Sequence, residues 1–211
     1  MSRLSALAVV LILALVPAAA QAATTRTAST PQQLRDGHAA YQRAIAAGYA
    51  KATRTLDAQL KKHPKKPTVV LDVDETTMSN YGCLNAVDFD LIGLATCVVK
   101  SESVAFGAAK TFIKHAQARK VRIAFISGAP EAACDLRRQN LRAQGLKAFT
   151  LTCRPASDTR DSVVPYKSEQ RKRLVKAGAT IVLNIGDQKS DLAGGAARKT
   201  QLLPNPIYTI T

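Results

Sequence analysis

Asp72 and Asp74 are separated by a single residue and stand at the end of a β-branched apolar run, Thr68 to Val73. In an extended chain, residues two apart point to the same side, so the two carboxylates come together. At the rim of an apolar segment they repel unless a cation or a shared proton intervenes. A magnesium ion suits such a pair: it takes oxygen ligands, usually one or two of them carboxylates, with phosphate and water completing its shell. Alone, the pair reads more readily as two aspartates capping a turn. Three further segments carry polar groups of the right kind. Ser127-Gly128-Ala129-Pro130 offers a hydroxyl and backbone N–H groups ahead of a helical stretch, which suits a phosphate, although serine is also an ordinary helix cap. Lys167 could meet a phosphoryl group as a point charge, but in a chain with 30 Lys and Arg most lysines are simply solvated. Asp187 and Asp191 add two carboxylates after Gly186, where helix capping is the plain alternative. Each segment has an ordinary structural explanation. The four together do not.

The elements between these segments say how they could meet. Val121 to Ile126, Ala148 to Thr152 and Thr180 to Ile185 resemble the run at Thr68 to Val73. Such near-continuous apolar runs suit parallel strands buried on both faces. Helical stretches lie between them at about 103–119, 130–144 and 168–177; Pro130 and Glu131 mark a start, and Gly145 and Gly178 mark ends. Strand–helix alternation predicts a doubly wound α/β sheet. Ligands of that architecture sit outside the carboxyl ends of the strands, where all four polar segments fall. Ahead of the sheet, Thr30, Pro31 and Gln33 form a helix-start pattern. Leu34, His38, Tyr41, Ile45, Tyr49, Ala52, Leu56 and Leu60 then step by threes and fours, predicting one long amphipathic helix whose stripe packs on the core. It ends before the basic, proline-broken stretch 61–67.

A basic start at Met1 to Arg3, an apolar run from Leu4 to Val16 and Ala20-Gln21-Ala22 form a secretory signal pattern, with cleavage expected after Ala22. The run is shorter than the roughly 20 residues a spanning helix needs, so a retained anchor is the weaker reading. Removing residues 1–22 takes away only Arg3 and lowers the net charge from +15 to about +14. That charge favours anionic substrates or an anionic surface. With no Trp and no basic segment interleaved with aromatics, a nucleic-acid partner is not expected. Cys83, Cys97, Cys134 and Cys153 include no C-x-x-C pair, which argues against zinc and thioredoxin-like chemistry. Export permits disulfides, and four cysteines allow three pairings. His38, His63 and His115 are scattered and suggest no metal cluster.

The segments LDVDETTMSNY (71–81), FISGAPE (125–131), YKSEQR (166–171) and NIGDQKSDLAGG (184–195), with the closing LPNPIY (203–208), resemble in this order the motifs of the haloacid-dehalogenase (HAD) phosphohydrolases. The nearest resemblance is to subfamily IIIB secreted acid phosphatases, the group of the plant vegetative storage proteins and related bacterial class B and C enzymes. It covers nearly the whole chain after residue 22. It implies Mg²⁺-dependent hydrolysis of phosphomonoesters, 5′-nucleotides among the candidates, at acid pH. Asp72 would be the nucleophile and Asp74 the general acid and base. Mg²⁺ would be held by Asp72, the backbone carbonyl of Asp74, Asp187 and Asp191. Ser127 and Gly128 would bind the phosphoryl group, and Lys167 would neutralise charge on nucleophile and phosphate. Ala129 departs from the arginine usual at that place. Some storage relatives lack the nucleophile; this chain keeps Asp72.

Within the implied fold, about 77–102 forms a small cap insertion, where Tyr81 and Phe89 either line the leaving-group pocket or pack beneath the cap. Cys83 and Cys97 both fall in that cap. Cys134 and Cys153 fall at one edge of the sheet, so the expected bridges are Cys83–Cys97 and Cys134–Cys153. Phosphoryl transfer to an alcohol acceptor, and a basic binding or storage protein with a weakly active site, are the rival functions.

Overall fold

Four of the five strands of the central sheet are the runs already noted; the three that are apolar on both faces are interior, whereas the run at Phe149–Arg154, with Thr150 and Thr152 exposed, forms an edge. The computed structural model describes residues 24–26, 29–99 and 102–210; the expected signal segment 1–22 lies outside them. The sheet contains β2 (Pro67–Leu71), β5 (Arg122–Pro130), β6 (Phe149–Arg154), β7 (Thr180–Gly186) and β8 (Thr200–Leu202) in the order β6-β5-β2-β7-β8, with every pairing parallel. The first polar segment therefore leaves the middle strand, between the strands that deliver the second and the fourth.

Alternation along the strands supplies two cores. Val69, Leu71, Ile123 and Phe125 join a large cluster with α2 (His38–Leu60) and α5 (Gly107–Ala118), which also takes in Leu141 of α6 (Cys134–Ala143). Val70, Ala124, Ile126 and Ile181 pack with Tyr166 of α7 (Val164–Lys176) on the other face. Helices thus cover both faces, as the α/β reading expects.

The predicted single N-terminal helix is two. α1 (Pro31–Asp36), capped by Thr30 and Gln33, stops at Gly37, and α2 begins at His38. Its apolar stripe crosses the break without interruption, so periodicity alone could not reveal it. Leu34 of α1 joins a third cluster with Leu84, Phe89, Cys97, Ile207 and Tyr208, separate from the α2 stripe. α1 and the chain's end thereby pack on the segment inserted between β2 and α5. That insertion has more regular structure than its sequence suggests: the strand pair β3 (Met78–Ser79) and β4 (Val104–Ala105), with α3 (Tyr81–Asn85) and α4 (Ile92–Val99) between. Phe89 is fully buried there, with the Tyr81 ring 5.2 Å away, so packing beneath the insertion is its role.

Three helix starts are corrected. α5 begins at Gly107 instead of about 103, because Val104 and Ala105 pair with Ser79 and Met78 as a strand. β5 runs on to Pro130 through a register shift, and a 3₁₀ turn at Glu131–Ala133 precedes α6. Ser127 thus belongs to a strand and does not cap a helix, because pairing with β6 continues to Pro130↔Arg154. α7 starts at Val164, four residues earlier than expected, since a proline in the first helical turn lacks only an N–H that would be unbonded there. The remaining short strands, β1 (Thr24–Arg26) and β9 (Tyr208–Ile210), pair antiparallel.

The expected disulfides are both formed. Cys83–Cys97 ties α3 to α4 with Cα atoms 5.8 Å apart, and Cys134–Cys153 ties the start of α6 to β6 with Cα atoms 5.7 Å apart.

Candidate active site

Asp72 is the first residue after β2, and its N–H donates to the Ile185 carbonyl of the neighbouring β7 at 3.0 Å. This bond ties the two strand ends together and brings the segment after β7 beside Asp72. Asp187 follows β7 directly, and Asp191 lies on the short helix α8 (Lys189–Leu192). Asp72, Asp187 and Asp191 are all buried and offer carboxylate oxygens within 4.8 Å of one another. Lys167, in the first turn of α7, donates to Asp72 Oδ1 at 2.7 Å and also to Asp191 Oδ1. Four residues from three separate stretches thus meet at one point.

Their electrostatics are unbalanced. One ammonium faces three carboxylates where little solvent reaches. Burial pushes the Asp72 carboxyl well above the usual range; Lys167 opposes that, while Asp191, Asp187 and Asp74 add to it. Burial, then the charge of Asp191, pushes Asp187 up to about 7. Burial works against the Lys167 ammonium, but Asp191 and Asp72 more than offset it, so Lys167 holds its proton more tightly than an ordinary lysine. The cluster therefore has a surplus of negative charge and only hard oxygen donors. That donor set fits a divalent cation such as Mg²⁺ or Ca²⁺.

Neighbours fix all three aspartates. Asp187 accepts from Thr76 Oγ1 at 2.7 Å, Gln188 Nε2 at 2.6 Å and Asn205 Nδ2 at 2.8 Å. Asp191 Oδ2 accepts from the Gln188 N–H at 2.8 Å. Thr77 Oγ1 donates to the Asp72 carbonyl at 2.8 Å. Gly186 has no room for a side chain: a Cβ there would sit 2.3 Å from Asp191 Cβ.

Ser127 is buried near the end of β5, and its hydroxyl accepts from the Ala129 N–H at 3.1 Å while keeping a proton to donate. Gly128 lies against Lys167, whose Cε would be 3.6 Å from a Cβ on the glycine. Asp74 stands apart from the three-carboxylate cluster. Its carboxylate accepts from Asn80 Nδ2 at 2.8 Å and is met by Arg137 Nη2 at 2.7 Å.

Sequence reasoning passed over several of these partners. Arg137 carries no motif that marks it, although it falls three residues from Cys134 on the buried stripe of its helix. Glu75 is wholly buried at φ 50°, a left-handed conformation unfavourable for a side chain with a Cβ. It is held by Tyr41 Oη at 2.8 Å and the Asn80 N–H at 2.7 Å. Burial pushes its carboxyl up to about 7 in spite of those two bonds. Asn205, inside the LPNPIY ending, could be found only through the resemblance.

Known proteins share this plan. Acid phosphatase 1 of Solanum lycopersicum is 30% identical over 153 residues, covering 67% of this chain and 58% of its own length. The stem 28 kDa glycoprotein of Glycine max is 30% identical over 165 residues, covering 72% of this chain and 63% of its own. Vegetative storage protein 2 of Arabidopsis thaliana is 43% identical over 72 residues, 34% of this chain and 27% of that protein. The chain thus spans less than two thirds of the length of each of these relatives. Among solved structures, the class C acid phosphatase from Bacillus anthracis with tungstate bound superposes with a TM-score of 0.68 at 23% identity, over 85% of this chain and 84% of that one, a likeness of fold. The family model for the HAD superfamily, subfamily IIIB (acid phosphatase), matches residues 4–211. With the motif order, the parallel sheet and this match in agreement, the chain belongs to the HAD superfamily, subfamily IIIB (acid phosphatase).

Proposed function

We propose that this protein hydrolyses phosphomonoesters at acid pH, with Mg²⁺, through a phosphoryl group carried transiently on Asp72. The observation that carries this reading is the buried contact of Lys167 with Asp72 and Asp191 beside Asp187. A lysine, a candidate nucleophile and a cation site converge there on one point at the strand ends.

Asp72, Asp187, Asp191 and the backbone carbonyl of Asp74 would hold the ion, which when bound neutralises charge on nucleophile and phosphate. A carboxylate oxygen of Asp72 attacks phosphorus opposite the ester oxygen. The P–O bond to the alcohol breaks, and Asp74 as general acid gives a proton to the departing oxygen. Asp74 then takes a proton from water, whose oxygen attacks the aspartyl-phosphate, releasing phosphate and restoring Asp72. Lys167 offsets charge on Asp72 and the transferring group, while the Ser127 hydroxyl and the backbone at Gly128 meet phosphoryl oxygens. The chain's net charge of +15 favours the approach of anionic esters, 5′-nucleotides among them. Export with loss of residues 1–22 accords with two disulfides, which form and persist in oxidising compartments.

The test is turnover of p-nitrophenyl phosphate across pH, with Mg²⁺ and after chelation. Metal-dependent release of phosphate is expected, lost in Asp72→Asn while far-UV circular dichroism is unchanged. Near-wild-type turnover by Asp72→Asn would mean that the nucleophile is misassigned. No turnover by the wild type at any pH would instead favour a storage role.

A further inference from the structure

Arg137 lies on α6 with only 3% of its surface exposed. Its Nη2 reaches the Asp74 carboxylate at 2.7 Å. Among the described residues its Nε and Nη1 have no acceptor, nor has Nδ2 of Asn140, one turn further along the same buried helix face. A guanidinium carries five N–H donors in a planar fork. Most of this one's capacity is therefore unused in a place that solvent barely reaches, and unmet charged donors are costlier than neutral ones. Holding Asp74 occupies one nitrogen. The rest of the fork has the geometry to grip a second oxygen group.

Position indicates whose oxygens those are. Lys167 attends Asp72 and Asp191, on the side of the transferring phosphoryl group. Arg137 comes from a different helix to Asp74, the residue that meets the departing alcohol. An ester oxygen hydrogen-bonded to Asp74 lies about 3 Å from that carboxylate, and Nη2 is 2.7 Å from the same carboxylate. An acceptor one or two carbons beyond the ester oxygen thus comes within reach of the fork.

On this basis, which rests on the phosphomonoesterase reading above, we propose that Arg137 is a specificity-determining residue. It selects esters whose alcohol bears a second anionic oxygen group close to the phosphate. Asn140 adds a neutral donor to the same subsite.

The experiment compares ethyl phosphate with phosphoglycolate, two esters of similar size that differ in a carboxylate, using the full chain with Mg²⁺. The wild type should favour phosphoglycolate in kcat/KM by about 10- to 100-fold, the range expected for a hydrogen bond to a charged group, chiefly through KM. Arg137→Gln should bring that ratio close to one. Arg137→Lys should keep part of it, because an ammonium supplies charge without the fork. A merely structural arginine would lower both substrates together and leave the ratio intact. A wild type without the preference, or a glutamine variant that retains it, overturns the proposal. If Arg137→Gln fails to fold by circular dichroism, the wild-type ratio and the lysine variant still decide. Turnover without preference refutes this inference alone, whereas turnover of neither ester refutes the phosphatase reading and this inference with it.

Discussion

At the scale of single residues, the site is a problem of buried charge. Among the described residues, Lys167 is the one cation in direct contact with the Asp72–Asp191 pair. Removing one partner of a buried ion pair costs about 3–5 kcal/mol, because it leaves uncompensated charge behind. Lys167→Met is therefore expected to lower stability in chelator, seen in urea unfolding. Added Mg²⁺ should restore part of that stability but not turnover, which should fall on the order of 10²- to 10³-fold. Glu75 makes a second prediction. Its folded pKa of about 7 lies above the ordinary glutamate value of 4.5, so the native state binds more protons than the unfolded chain between those values. Its contribution favours the fold at low pH and is lost as pH rises from about 4.5 to 7, with Asp187 acting in the same sense. In chelated protein, Glu75→Gln should flatten this decline by on the order of 3 kcal/mol. An unchanged pH–stability curve in the variant would refute the assignment.

At the scale of elements, the site depends on how closely α8 approaches the end of β7. The absence of a side chain at Gly186 permits that approach, and a Cβ there would overlap Asp191 at 2.3 Å. Gly186→Ala should therefore displace α8, costing about 1–3 kcal/mol and weakening Mg²⁺ binding, which isothermal titration calorimetry would measure. If affinity and melting temperature both stay at wild-type values, α8 is not held by this contact. α6 is the other dependent element. A 3₁₀ turn delays its start to Cys134, where the bridge to Cys153 fastens it beside β6. That anchorage sets where Arg137 stands.

At the scale of the whole molecule, chain segments far apart in sequence hold the insertion that lies between β2 and α5. Leu34, Ile207 and Tyr208 pack with Leu84, Phe89 and Cys97, and Arg35 reaches Asn85 at 2.7 Å as well as Asp88. The two disulfides close short loops, with partners 14 and 19 residues apart. Loops of this size are worth about 3 kcal/mol each. Reduction should lower the melting temperature by several degrees per bridge, measurable by calorimetry with and without a thiol. A melting temperature indifferent to reductant would show that the bridges add nothing to the core.

The amino-acid sequence by itself determined the α/β class and marked the four segments that carry Asp72, Asp187, Asp191 and Lys167 as candidates. Those features are local: apolar runs set strands, glycine and proline set boundaries, and motif spacing is short. Only the tertiary structure decided that Gly37 splits the first helix, because an unbroken apolar stripe conceals a change of packing partner. It alone showed β5 continuing through Ser127, since strand length there depends on a neighbour's register. It alone gave Asp74 its guanidinium. Arg137 is 63 residues distant in sequence, and among 30 basic residues its type and spacing do not mark it as the partner of Asp74. Which charges end up unmet is a property of packing between remote elements, and no stretch of sequence encodes that locally.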